Sequence, residues 1–374
     1  MLKGIYLTLL VGPTVPMPMP RIVMEALTEV SVQSNTKIAS GFELSFTLSN
    51  RSPLHTIFLL AAPHTPLLRV ILIVTVNGMP HVVADGVTTK VEVRPGNAGQ
   101  STLFVTGQDL TELMDSNMVD LSGMPYPSMS SDTRVRFILA KYAMFGVIPL
   151  VIPSLFLDVP LPTKRIPKHK GTDLCYVRYL ARKAGYVFYI DPGPAPGTNT
   201  AYWGPEIKVG PPQPALNFDM DAHTNVESLS FNVTTSEKVL PIVYIQNALT
   251  KAPIPIPIPI NPLQPPLGLS GFLPTRVEKL RDTAKRSPME AIGMGLAAAS
   301  RSSDAVRGNG TLDVLRYGRL LKARKLVGVR GAGMAFDGLY FVESVTSTIK
   351  PGEIKQNFTL TRNGLVSITP KVPV

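Results

Sequence analysis

The segment from Leu326 to Arg362 constrains this chain most, because its side chains alternate too regularly to fold as a helix. Ile354, Gln356, Phe358 and Leu360 alternate with Lys355, Asn357, Thr359 and Thr361, the period of two expected of a half-buried strand. Upstream, Leu339, Phe341, Val345 and Ile349 are expected on one face, with Ser344, Thr346 and Thr348 on the other. Between the two runs lies Lys350-Pro351-Gly352-Glu353, where proline presets φ and glycine accepts a positive φ, as a type II turn requires. The segment reads as a long antiparallel hairpin with one wet face, and it contains no reaction centre.

The same period recurs near the N-terminus. In GFELSFTLS, Phe42, Leu44, Phe46 and Leu48 alternate with Glu43, Ser45, Thr47 and Ser49. Residues 70–76 lead into Asn77-Gly78, a strong hairpin signal, and Asp85-Gly86 is read as the start of another. After it, Val87, Thr89, Val91 and Val93 face away from Thr88, Lys90 and Glu92, and a further strand covers Leu103 to Thr106. The opening MLKGIYLTLLVG is expected to be a first strand, since no small-residue cleavage site precedes the prolines that follow. Residues 13–20 (PTVPMPMP) should be extended. Residues 1–108 are therefore expected to form an antiparallel β-domain, a barrel or a sandwich.

The middle, residues 109–215, reads as a mixed α/β insert. Val135, Ile138, Leu139 and Tyr142 fall at helical spacing behind Ser131 or Asp132 as cap. Pro149, Pro153, Pro160 and Pro162 then interrupt the chain before a basic patch, Lys164 to Lys170. A second helix opens at Thr172 or Asp173, carries Leu174, Val177, Leu180, Ala181 and Ala184, and ends at Gly185; a strand follows over Tyr186–Ile190, then a DPGPAPG loop. Residues 216–374 return to β, with an insertion at about 251–325. Leu229, Phe231 and Val233 alternate, and 239–246 is a strand. Pro253 to Pro266 reads as polyproline II, 276–303 as helix-prone, Asp304 to Gly310 as loop, and Thr311 or Asp313 as the start of a basic helix containing Leu312, Leu315, Leu320 and Leu321. The fold class expected is α+β and strand-rich.

At 374 residues, two or three domains are the default. The 36 prolines are about twice the usual share and mark linkers. The net charge of +11 favours an acidic partner or a solvated basic face. Cys175 is the sole cysteine, so no internal disulfide and no thiolate metal site can form. No apolar run reaches 18 residues, so no spanning helix and no membrane insertion are expected. The five histidines lack paired spacing, and Asp219-Met-Asp221-Ala-His223 reads as a surface loop, not as a metal cluster. Gly331-Ala-Gly333 fails as a dinucleotide loop, because Phe336 stands where the third glycine belongs and a strand follows. Cys175 opens a helix without a base partner, and Gly268-Leu-Ser270-Gly271 lacks nucleophile-elbow spacing. No catalytic, cofactor or metal residues are assigned. The run Arg316, Arg319, Lys322, Arg324, Lys325 and Arg330 contains no acid but little aromatic interleaving, so it suits an acidic protein better than nucleic acid.

Four stretches carry a family resemblance: GTDLCYVRYLARKAGYVFYID (171–191), YWGPE (202–206), residues 312–364, and DGVTTKVEV…STLFVTGQDL (85–110). In this order they resemble the baseplate hub proteins of contractile phage tails and related injection systems, the late control protein D family. The resemblance implies two tail-tube-like β-barrels flanking the insert, and a homotrimeric ring. That ring would adapt a sixfold tail tube above to a trimeric spike below, beside other baseplate and tape-measure proteins. It implies no cofactor and no enzymatic activity, a place in a tail or injection-particle baseplate, and synthesis in the bacterial cytoplasm. Since the second β-domain runs to the end at Val374, it also implies a spike on a separate polypeptide. Arg316, Arg319, Lys322, Arg324, Phe341 and Phe358 are the candidate interface residues. A tail-associated cell-wall hydrolase and a basic nucleic-acid-binding protein are the alternatives.

Overall fold

The computed structural model describes residues 5–13, 15–49, 52–60, 68–95, 101–116, 121–154, 162–163, 166–234, 239–246, 250, 252–258, 266–271, 274–280, 283, 288–301 and 304–369. Pro160, Lys164, residues 259–265 of the proline run and the terminal Val374 lie outside them. The N-terminal part comprises β1 (Ile5–Gly12), β2 (Met17–Pro18), α1 (Arg21–Ala26), β3 (Leu27–Asn35), β4 (Gly41–Leu48), β5 (Arg69–Val76), β6 (Met79–Pro95) and β7 (Ser101–Asp109). The middle follows with α2 (Thr111–Asp115), α3 (Ser131–Ala140), β8 (Val147–Val151), α4 (Asp173–Ala184), β9 (Val187–Pro192) and β10 (Asn199–Gly204). The C-terminal part begins with β11 (Gln213–Asn217), β12 (Val226–Val233), β13 (Val239–Gln246), β14 (Pro253–Pro257), β15 (Gly268–Gly271), β16 (Arg276–Lys279) and α5 (Pro288–Arg301). It closes with β17 (Val306–Asp313), α6 (Val314–Tyr317), β18 (Leu326–Arg330), β19 (Gly338–Lys350), β20 (Glu353–Arg362) and β21 (Gly364–Ser367).

Large antiparallel sheets dominate, as the alternation demands. The strands at the two ends of the chain join in one 13-stranded sheet, ordered β12-β17-β20-β19-β3-β4-β7-β6-β5-β1-β2, with β11 and β18 branching from it. The join is β3 against β19, from Val30↔Ile349 to Asn35↔Ser344. One apolar core therefore spans both parts, with Leu44, Phe46 and Val105 in the same cluster as Tyr340, Val342, Phe358 and Leu360. The middle builds its own core around Leu139, Val177, Leu180 and Trp203, beneath the small sheet β8-β10-β9. No helix among the described residues is long and apolar enough to cross a membrane.

The hairpin β19–β20 forms with Ile349↔Ile354 and Lys350↔Glu353 closing on a turn whose Gly352 has φ +82°. Its facing differs from the expectation in one respect. A bulge between Val342 and Ser344 inserts Glu343, which swaps the faces, since one extra residue inverts a period of two. Tyr340 and Val342 face the core before the bulge, and Val345 and Ile349 after it. Phe341, expected beside Val345, points to the opposite side, where Lys208 lies 5.4 Å from its ring. The bulge sits where β19 exchanges one edge partner, β18, for another, β3: Thr36 donates from its N–H (3.1 Å) and Oγ1 (3.0 Å) to the Glu343 carbonyl.

Asp85-Gly86 is not a turn but the middle of β6. Glycine is required there because a Cβ would stand 2.0 Å from the Gln108 carbonyl oxygen of β7. Asn77-Gly78 is the true hairpin turn. Residues 306–310 are likewise strand, not loop: β17 runs between β12 and β20, and a Cβ on Gly310 would meet the Phe358 ring at 2.6 Å and the Ser228 carbonyl at 2.5 Å. Gly310→Val is therefore expected to cost about 1–3 kcal/mol, read as a lower midpoint in thermal circular dichroism. Only Val314–Tyr317 of the basic segment is helical, capped by Asp313, whose side chain accepts from the Leu315 N–H.

Residues 253–257 of the proline run pair as a strand. In β14, proline alternates with isoleucine, and the Ile258 N–H donates to Pro241 O, so the isoleucine side of the backbone faces β13. The prolines then place their missing N–H groups on the outer edge, the one location a sheet tolerates. Pro149 also sits in an edge strand, β8. Residues 276–279 are strand, and among the described residues of 276–303 helix runs over Pro288–Arg301. The cap of α3 is Ser130, one residue before the expected pair, whereas Thr172 caps α4 as one of the two expected candidates.

Candidate assembly surface

The six candidate interface residues divide into two groups. Arg316, Arg319 and Lys322 are exposed and, with Lys325, make no ion pair among the described residues. Arg324, Phe341 and Phe358 are instead committed inside the chain. Arg324, at φ +64°, pairs with Asp191 through Nη1, donates from Nη2 to the Asn35 carbonyl and to Ser40 Oγ (3.3 Å), and lies 4.1 Å from the Tyr189 ring centre. Phe341 and Phe358 are each 3% exposed. The structure thus brings the basic side chains to one surface segment but separates both phenylalanines from it.

Arg324 belongs to one of three polar clamps that hold the middle of the chain against the large sheet. Its own clamp links β9 to the end of β3, and Asp109 at the end of β7 joins it by accepting from the Ser40 and Thr111 N–H groups, both at 2.9 Å. Burial pushes the carboxyl groups of Asp191 and Asp109 above the usual range, with Arg324 opposing the shift in both. The second clamp is Arg69, which donates from Nε to Asp85 Oδ1 (2.7 Å) and from Nη2 to Oδ2 (2.8 Å). Asn199 of β10 adds a bond to the same Oδ2 at 2.8 Å, and Gly197 O accepts from Arg69 at 3.2 Å. In the third, Lys208 Nζ donates to both Asp304 oxygens at 2.8 and 2.7 Å. Burial alone would lower the Lys208 pKa, but Asp304 and Glu206 outweigh it and hold it above the ordinary value.

These clamps have no local sequence signature, because their members lie far apart: 133 residues for Arg324–Asp191, 96 for Lys208–Asp304 and 114 for Asn199–Asp85. The only hint is a charged residue set among apolar ones, as Arg69 is between Leu68 and Val70. They fix the geometry of the middle segment on the sheet, which an extended assembly surface needs.

The nearest approach to an acid–base constellation is His169, with Nδ1 2.9 Å from Tyr126 OH and Nε2 3.3 Å from Asp173. Burial keeps the imidazole pKa below its usual value and lifts the Tyr126 hydroxyl to about 12. The side chains of His169 and Asp173 are 0% and 3% exposed, so the pair is closed to solvent. Among the described residues no three His, Cys, Asp or Glu side chains group as metal ligands; Asp221–His223 form a single helical turn.

No protein-family model and no curated protein matches the chain. Solved structures do. A tail protein from Neisseria meningitidis MC58 is similar over 97% of this chain and 98% of its own, with a TM-score of 0.62 and 12% identity. The 43 kDa tail protein of prophage MuSo2 from Shewanella oneidensis is similar over 96% and 98%, with a TM-score of 0.62 and 14% identity. The c3393 protein of E. coli is a type VI secretion component described as structurally similar to the phage T4 tail proteins gp27 and gp5. It covers 93% of this chain and 76% of its own, with a TM-score of 0.54 and 10% identity. The chain has the strand-rich fold of these phage tail proteins and of a type VI secretion component.

Proposed function

We propose that the chain is the structural hub of a contractile-tail or injection-system baseplate, of the late control protein D type. Three copies would close a ring that adapts a sixfold tail tube to a threefold spike, with other baseplate and tape-measure proteins as neighbours. In this reading residues 1–108 and 216–374 are the two tube-like units and 109–215 the insert between them. The protein works without catalysis, in a tail or injection particle, after synthesis in the bacterial cytoplasm. The observation that carries the reading is the single sheet running through both strand-rich ends of the chain, in a fold shared over nearly its whole length with tail proteins. Two further features support it. The clamps tie the middle of the chain to the large sheet, and the β8 edge strand leaves Ile148 (57%) and Leu150 (48%) exposed, apolar surface that an obligate interface would cover. Arg316, Arg319 and Lys322 belong to the proposed contact surface.

Light scattering on a sizing column across a concentration series tests this. The expected species has three times the mass of the chain. A protein that stays monomeric at every concentration, and also after addition of a trimeric spike and tube protein, would overturn the reading.

A further inference from the structure

A cleft of about 340 Å³ opens beside the basic segment. One wall is Pro80–Val83 at the start of β6; the opposite wall is Leu320–Lys325. The β6 wall has an unusual property. β5 pairs with it from Met79 onward, but β7 joins β6 only from Gly86, so the other edge of residues 79–84 has no strand partner among the described residues. Hairpin geometry fixes which groups that edge presents. Val76↔Met79 closes the two-residue turn and His81 pairs inward to Val74, so the Pro80 carbonyl and the Val82 N–H and carbonyl point away from β5. Proline at 80 blunts the end nearest the turn and the bulge at Val83 bounds the other, leaving Val82 as the residue with both groups free.

Lys322 and Lys325 also line the cleft, both exposed and neither in an ion pair among the described residues; the one carboxylate of the lining, Asp191, is paired with Arg324. Their charge is felt locally. Burial and Lys322 hold the His81 imidazole below its usual pKa, and burial and Lys325 lower that of Lys322, with Asp191 opposing. An unpaired strand edge facing unneutralised cations has the chemistry of a strand-addition site selective for acidic sequence. No Phe, Tyr or Trp lines the cleft, which leaves nucleobases only the His81 ring and the already committed Arg324 guanidinium to stack on. A second copy of this chain, itself at +11, would bring like charge.

We propose that this cleft binds a short, extended, acidic segment of a partner protein, which pairs with the free edge of β6 at Val82 and places carboxylates on Lys322 and Lys325. The inference stands independently of the hub reading.

Fluorescence anisotropy with the full chain and a labelled peptide of alternating valine and glutamate tests it. Saturable binding that weakens with added salt is expected. The Lys322→Gln/Lys325→Gln variant should lose about tenfold or more in affinity, with an unchanged melting temperature because neither side chain is paired. The same peptide N-methylated at alternate residues should fail to bind, since it cannot complete the ladder. Several results would overturn the proposal: no binding to the unmodified chain, binding indifferent to the two lysines or to N-methylation, or displacement of the peptide by an equimolar oligothymidine. The first would make the lysines guards of the edge; the last would point to nucleic acid.

Discussion

Asp85→Ala is expected to lower the unfolding free energy by about 3–5 kcal/mol. The Arg69 side chain is 4% exposed and that of Asp85 0%, so removing the carboxylate strands a guanidinium in the core between β5, β6 and β10. It also removes the acceptor of the Asn199 amide, leaving the Arg69–Gly197 hydrogen bond as the remaining link of that clamp to the middle of the chain. Urea unfolding, followed by tryptophan fluorescence from the buried Trp203, measures the loss directly. The double replacement Arg69→Met/Asp85→Leu should recover most of it, because no charge is then left unpaired. A loss below about 1 kcal/mol for Asp85→Ala would mean that water reaches the pair and screens it.

Phe358→Asp is expected to yield no soluble folded protein. Phe358 is 3% exposed, lies in the cluster that spans both ends of the chain, and fills the space that Gly310 leaves open. A carboxylate there has no partner and would have to be buried charged or neutralised at large cost. Phe358→Ala keeps the site apolar and should cost about 3–5 kcal/mol, which separates loss of packing from burial of charge. Soluble Phe358→Asp with a cooperative unfolding transition would show that this face of β20 is not core.

Where local chemistry decides, the sequence was readable. The β20 alternation, the Asn77-Gly78 turn, the Thr172 cap and the Gly185 stop of α4 all depend on residues within a few positions of each other, and the structure has each of them. The failures have a common cause. Gly86, Gly308 and Gly310 look like chain breakers, yet each stands inside a strand because a neighbouring strand's carbonyl or aromatic ring needs the room. The bulge at Glu343 is set by the exchange of β18 for β3 at the edge of β19, partners remote in sequence, so Phe341 appeared to share a face with Val345. The interface set suffered in the same way. Exposure of Arg316, Arg319 and Lys322 follows from an all-basic run, but the burial of Arg324 depends on Asp191 and Tyr189, which no local pattern connects to it.

The seam between β3 and β19 also sets the order in which this protein can be made. Thr36 and its acceptor Glu343 are 307 residues apart, so a ribosome has synthesised nearly the whole chain before β3 meets its second neighbour. Until then the edge Val30–Asn35 is an open template, satisfied only on its β4 side. Contacts of such separation fold slowly, and an emerging chain of this design depends on whatever shields that edge while translation finishes. A stop before Ser344 would therefore leave the edge Val30–Asn35 open and release an aggregating fragment instead of a functional half.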